Sequence, residues 1–498
     1  MEVIESARPL LAILVSAFAV VLIRLSDRKP DLREFWTILA AVVKFSIVVS
    51  MVPSVLAGKT LEYHLLTIVP GLEIKFSVDA LGVAFAATAS FLWIITSFYS
   101  IGYMRSLKEH AQTRYFMSFA GAMSATMGVA FAANMFTLFL FYEAITLSTF
   151  PLVAHKQTPE AIGGARRYIV YLLGTSLAFQ LFAIFLTYSV AGTLDFASQG
   201  ILAGKGSNLL LTLIFILFML GITKAAMMPL HSWLPAAMVA PTPVSALLHA
   251  VAVVKAGVFT VVKVVLFIFG TDLLADLGLG TALMYFASFT IIAASVIALK
   301  QDNLKRRLAY STISQLSYIV FAVALLTPSG ITGSIFHMVV HAFGKITLFF
   351  AAGAIYVAHH KTNVSELDGI GEAMPFTMAA FALGSLSMIG IPPFGGFLSK
   401  WYMFFGAVEA RHVPMLLVLA ASTILNACYF LPIVYAAFFK KPRYADVSGG
   451  APEGIREAPA FMVVPLVITA IATLVLFFWP SLFLELARSA AGAAKGGG

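Results

Sequence analysis

Runs of twenty or more almost uninterrupted apolar positions, divided by short polar segments, recur from one end of the chain to the other. Length alone decides what such runs become. About twenty residues of helix, at about 1.5 Å each, cross the roughly 30 Å hydrocarbon layer of a bilayer. The pattern predicts fourteen helices, over residues 9–25, 36–57, 79–103, 114–133, 134–155, 163–192, 208–235, 243–269, 277–299, 308–327, 330–358, 373–408, 412–439 and 459–485. Residues 61–78 alternate like strand around Pro70-Gly71, which predicts a short hairpin outside the membrane. The repeated short strands of a membrane barrel are not in the pattern. The expected fold is therefore all-α and polytopic. It divides into 1–113 with the first three helices and the hairpin, 114–269, 270–440, and 441–498 with the last helix and tail.

Composition strengthens this reading. Of 498 residues, 60% are apolar and 11% charged, and mean hydropathy is +0.94, which no soluble domain of this length matches. The run Pro9–Leu25 follows Glu2 and Glu5 and lacks a small-residue cleavage site, so it reads as a retained helix rather than a signal peptide. Cys428 stands alone in an apolar run, which leaves no internal disulfide, thiolate metal cluster or iron-sulfur ligand set. No cofactor is expected in this chain, and redox groups would belong to other subunits. The net charge of +9 is scattered over short loops, which fits a membrane protein and not a nucleic-acid binder. Loops after odd-numbered helices hold nineteen lysines and arginines, among them Arg105, Arg166, Arg167, Lys305, Arg306, Arg307 and Arg443, against seven on the other side. The excess predicts odd loops in the cytoplasm and both termini outside, in a multi-pass protein of the cell's inner (plasma) membrane.

Six lysines lie inside predicted helices: Lys44, Lys224, Lys255, Lys263, Lys345 and Lys400. Glu143 is the one acid placed mid-helix. Each such group, if ionised near the helix centre, costs about 2.5 to 3.5 kcal/mol to insert. Packing does not explain a set that expensive. Glu143 and Lys224 are the expected partners. One reading is a static salt bridge; the other is a pair that opens and closes, so that the lysine takes up and releases a proton. His337, His341 and Lys345 are four apart and stack on one helical face, either as satisfied core residues or as a relay. Metal binding by the two histidines is disfavoured because no carboxylate or cysteine joins them. His249 and Lys255, six apart, face different neighbours. Lys263, near a helix end, is expected to snorkel, whereas Lys44 is open to either role. His231, His359 and His360 read as loop or interface residues.

Two helices are interrupted. Lys224 is followed by Pro229 and Pro235 in the seventh, and Gly390-Ile391-Pro392-Pro393-Phe394-Gly395-Gly396 precedes Lys400 in the twelfth. Irregular backbone survives in a membrane where protein or water covers it. Breaks five helices apart predict two repeats, helices 4–8 and 9–13, in inverted orientation. Phosphate-binding glycine loops, dinucleotide fingerprints and nucleophile elbows are absent from the sequence, which argues against an ATP-driven pump or a haem carrier.

Three motifs carry a family resemblance. They are Lys224-Ala-Ala-Met-Met-Pro229-Leu-His-Ser-Trp-Leu-Pro235 with Ala240-Pro-Thr-Pro-Val-Ser-Ala-Leu-Leu-His249, Asp302-Asn-Leu-Lys-Arg-Arg-Leu-Ala-Tyr-Ser-Thr-Ile-Ser-Gln315, and Ile391-Pro-Pro-Phe-Gly-Gly-Phe397 with Lys400. Together they resemble the antiporter-like subunits of respiratory complex I, multiple-resistance-and-pH-type sodium/proton antiporters and membrane-bound hydrogenases, and the resemblance covers nearly the whole chain. It implies a hydrophilic axis of Glu143, Lys224, His249, Lys255, His337, His341 and Lys400, to which the reading of the residues adds Lys345. It also implies assembly beside homologous and other membrane subunits, and the two inverted repeats. Lysine at 400 is similar to the large terminal subunit of complex I and to the D-type subunit of the antiporter. The chain's end soon after helix 14 favours a D-type or hydrogenase-type member, whereas the wording of helix 8 looks more like the large subunits. The branch stays open.

The expectation is a proton-translocating subunit, with or without sodium exchange, of a complex I-like, antiporter or hydrogenase complex. The chain itself carries no redox or hydrolytic site. A stand-alone secondary transporter is the alternative, and a structural scaffold is a third class.

Overall fold

A computed structural model describes residues 2–69, 71–247, 251–441 and 454–495. Pro70, His249 and Arg443, which the sequence reading singled out, lie outside the described residues.

The first helices, α1 (Arg8–Leu25), α2 (Pro30–Leu56) and α3 (Ala80–Ser106), are followed by α4 (Gln112–Ala130), α5 (Met135–Val153) and α6 (Pro159–Thr175). A π turn, Ser176–Gln180, joins α6 to α7 (Leu181–Ala191), so the single helix expected over 163–192 carries a bulge. The next predicted helix is α8 (Asn208–Gly221), a 3-10 turn at Thr223–Ala225, and the short α9 (Trp233–Ala236). Then come α10 (Thr242–Ala246) and α11 (Val253–Lys263), the latter ending in a π turn at Val264–Phe269. The second half contains α12 (Thr271–Asp276), α13 (Leu279–Leu299), α14 (Leu304–Ala324), α15 (Pro328–His359), α16 (Ile370–Ala373), α17 (Pro375–Ile389), α18 (Gly395–Glu409) and α19 (Val413–Phe439). The expected last helix, 459–485, is instead two: α20 (Ala460–Phe478) and α21 (Ser481–Ala494), parted at Trp479-Pro480. Leu484, Leu486, Ala487, Ala490, Ala491 and Ala494 turn one face of α21 onto α3 and α15.

Short turns are possible because the helices cap themselves. Asp79 accepts from the Gly82 N–H at 2.6 Å, Asn134 from Thr137 at 2.7 Å, and Asn303 from Arg306 at 3.1 Å. Outside the helices, β2 (Lys59–Val69) pairs antiparallel with β3 (Leu72–Val78), and β1 (Glu2–Glu5), which the pattern did not predict, adds parallel to β2.

Among the described residues, nine helices, counting α6 and α7 as one, are long and apolar enough to cross a membrane, and α8 and α17 are shorter apolar helices. Both shorter helices stop at a break. The chain is a multi-pass membrane protein built as an all-α bundle. Its axis is α15, 32 residues long and buried along its apolar span by α3, α14, α17, α18, α20 and α21. Phe18, Leu417, Ile424 and Phe439 point outward, as lipid-facing positions should.

Candidate ion-conducting axis

Glu143 sits in the middle of α5. Lys224 sits on the 3-10 turn where α8 stops, with its side chain fully buried. Its Nζ lies 3.7 Å from Glu143 Oε1 and donates instead to the Tyr142 carbonyl at 2.8 Å, over the Tyr142 ring at 3.2 Å from the centroid. At 3.7 Å the carboxylate is an ion partner but not a hydrogen-bond acceptor. Both Glu143 oxygens are buried without a hydrogen bond. The pair is thus loose: the lysine rests on a carbonyl and a ring face, and the carboxylate has acceptor capacity to spare. The break is held from outside the pair, since Trp233 Nε1 donates to the Thr223 carbonyl at 3.0 Å and the Thr223 and Thr175 hydroxyls meet at 2.8 Å. Gly257 of α11 lies so close to the Lys224–Ala225 backbone that any Cβ there would collide, which brings α11 against the break.

Two residues before that glycine, Lys255 bonds His341 Nδ1 from its Nζ at 2.8 Å, both groups buried. His341 and His337 follow one another along α15 with ring centroids 6.0 Å apart. His337 uses both nitrogens: Nδ1 meets Ser399 Oγ at 2.9 Å and Nε2 meets Gln315 Oε1 at 3.0 Å. Ser399 in turn donates to the Gly396 carbonyl at 3.0 Å, inside the first turn after the second break. The neighbouring Lys400 donates to the Ile389 carbonyl at 2.8 Å and to Thr423 Oγ1 at 3.3 Å, 5.0 Å from the Tyr318 ring centroid. Ile389 ends α17, so the lysine takes up a carbonyl that the break sets free. Lys345 forms a branch: its Nζ donates to Ser311 Oγ at 2.6 Å, and that oxygen meets the Tyr429 hydroxyl at 3.0 Å. The geometry therefore brings together Glu143 with Lys224, Lys255 with His341 and His337, and Lys400 with the second break, while Lys345 points toward α14 and α19.

Lys263 departs from expectation. It does not snorkel; it is 2% exposed, is ion-paired with Asp79, the N-cap of α3, and is ringed by Phe196, Phe259 and Phe267. The reason is that a carboxylate is nearer than open water. Both line a cavity of about 450 Å³ that also contains Lys75 and Asp195, themselves paired at 2.6 Å. Asp79 escaped sequence reasoning because a helix cap reads as local structure; its position ahead of an apolar run was the available sign. Lys44 is buried, donating to the Met123 carbonyl at 2.9 Å over the Trp93 ring. At the end where the basic loops gather, Lys156, Glu160, Arg167, Lys305, Arg306 and Lys361 line a cavity of about 920 Å³.

A membrane bundle whose interior lysines and histidines meet at two broken helices defines the class, an ion-handling polytopic protein. The signature of the NADH:quinone oxidoreductase/Mrp antiporter transmembrane family matches residues 132–426, and the chain belongs to that family. It is 30% identical over 483 residues to NADH-quinone oxidoreductase subunit N of Desulforudis audaxviator, covering 94% of this chain and 95% of that protein. It is 33% identical over 419 residues to NADH-quinone oxidoreductase subunit L of Mycobacterium tuberculosis, covering 81% of this chain and 63% of that longer protein. A chain of the Mrp complex from Dietzia sp. DQ12-45-1b shares the fold, with a TM-score of 0.86 at 23% identity over 98% of this chain and 97% of that one.

Proposed function

We propose that this chain carries protons across the membrane as one subunit of a larger complex of the complex I or antiporter kind. The observation that carries the reading is the loose Glu143–Lys224 pair, 3.7 Å apart and buried beside a helix break. A proton taken up at Lys224 is held while Glu143 is near and is released toward Lys255 when the pair opens, because the countercharge that favours the ammonium is then gone. His341 and His337 pass the charge to the second break, where Lys400 receives it; His249 of the same motif belongs on this axis. Lys345 serves the branch through Ser311 and Tyr429. The proposal includes fourteen spans with two inverted five-helix repeats, helices 4–8 and 9–13. It also has the cavity lined by Lys305 and Arg306 at the cytoplasmic face of the inner membrane and both termini outside, a reading that the excess of basic residues in those loops supports.

Proteoliposomes of the whole complex test this. Glu143→Ala and Lys224→Ala are expected to assemble and to lose coupled ion movement, read as a collapsed pH-dye response. Wild-type transport by both variants would defeat the axis. A chain purified alone and active without partners would favour a stand-alone transporter.

A further inference from the structure

The turn between α3 and α4 and the end of α5 meet at a cluster that the axis does not use. Glu109, His110 and His155 each offer one ligand atom, and the three atoms lie within 4.8 Å of one another. His155 Nε2 is 3.7 Å and His110 Nδ1 3.9 Å from the same Glu109 oxygen, Oε2, and the two rings stack with centroids 4.7 Å apart. His155 is fully buried, yet neither ring nitrogen has a hydrogen-bond partner within the protein. A buried imidazole in that state costs about 1 to 3 kcal/mol unless something else engages it.

We propose that Glu109, His110 and His155 bind a divalent transition cation, with zinc as the best-fitting species. Zinc takes imidazole nitrogen at about 2.0–2.1 Å and carboxylate oxygen at about 2.0–2.2 Å, which sets ligand atoms roughly 3.3 Å apart around a tetrahedron. The two contacts to Glu109 are within several tenths of an ångström of that spacing, and the two imidazoles, stacked 4.7 Å apart, would turn out of the stack to aim both nitrogens at the ion. Two nitrogens and one carboxylate suit zinc better than calcium or magnesium, which take oxygen. The fourth position is available to water from a cavity of about 690 Å³ that Glu109 lines together with Gln112 and Arg114. The Arg114 guanidinium is held beside the site by donating to the His155 backbone carbonyl at 3.2 Å. Lys108 and Ala111, at φ of 49° and 47°, hold the intervening Glu109 and His110 between two left-handed positions, so the turn presents both side chains to His155. A bound ion would clamp the end of α5, the helix that carries Glu143, to the turn before α4.

The test is equilibrium dialysis of the purified complex against zinc chloride, prepared with a tag that contains no histidine. Wild type is expected to retain one zinc per copy of this chain that His110→Ala and Glu109→Gln lack. Affinity should fall at least about tenfold in each, the loss that even outer-shell changes cause at metal sites. His155→Ala should do the same; if that buried change impairs folding, the two less buried variants decide. Equal zinc retention by wild type and all three variants, which would leave water as the partner of His155, overturns the proposal. The readout is independent of transport, so failure of the axis leaves it standing.

Discussion

At the scale of single residues, Glu143 and Lys224 separate a structural role from a working one. Removing one partner of a buried pair leaves the other uncompensated, at a cost of about 3 to 5 kcal/mol, whereas replacing both by neutral groups of similar size is often close to neutral. Glu143→Gln and Lys224→Gln should therefore each lower the midpoint of thermal unfolding in detergent, and the double variant should recover most of it. Transport should stay lost in all three. A double variant that regains transport with stability would make the pair a static clamp. His337 yields a second expectation, since both its nitrogens are in use, toward Ser399 and Gln315. Ser399→Ala and Gln315→Ala are expected to slow transport severalfold, each also lowering stability by about 1 to 3 kcal/mol because a buried His337 nitrogen loses its partner. An unchanged rate in both would remove His337 from the path.

At the scale of elements, the breaks depend on glycines that let backbone approach backbone. A Cβ at Gly257 would strike the Lys224–Ala225 peptide, and one at Gly396 the Ser387 carbonyl. Gly257→Val and Gly396→Val should each destabilise by about 1 to 3 kcal/mol or more, as overpacked cores do. Detergent-solubilised yield and unfolding temperature measure it; unaltered values would mean the contacts are not tight. These breaks were legible in the sequence because Pro229, Pro235 and the Gly390–Gly396 run advertise them. The Glu143–Lys224 meeting was legible because a buried charge demands a countercharge. Other features left no comparable trace. The π turns at Ser176–Gln180 and Val264–Phe269 lie inside long, mainly apolar helical runs, where an extra residue in one turn leaves the run unbroken. Trp479-Pro480 was masked by apolar residues on both sides, so α20 and α21 read as one helix. Glu2–Glu5 is too short to announce a strand without its partner β2. Lys263 finds Asp79 across 184 positions, and Glu109 with His110 meets His155 only once α3, α4 and α5 are packed.

At the scale of the whole molecule, the two ends differ in charge and each holds a cavity. Lys156, Arg167, Lys305, Arg306 and Lys361 line the larger one, of about 920 Å³, while the smaller, of about 450 Å³, is lined by balanced pairs such as Lys75 with Asp195 and Lys263 with Asp79. Basic loops stay on the side where the chain is made, because moving lysine and arginine across the bilayer during insertion is unfavourable. In the proposed orientation the first cavity opens to the cytoplasm and the second to the outside, with the lysine and histidine axis between them. Cys428 is exposed on an apolar helix and must be removed before labelling, so the background is Cys428→Ala. In intact cells a membrane-impermeant maleimide should label Glu5→Cys and Lys205→Cys, both exposed positions on the predicted outer side. Arg306→Cys, exposed beside the larger cavity, should react only after the cells are opened. The reverse pattern would invert the protein in the membrane and exchange the two cavities while leaving the axis itself intact.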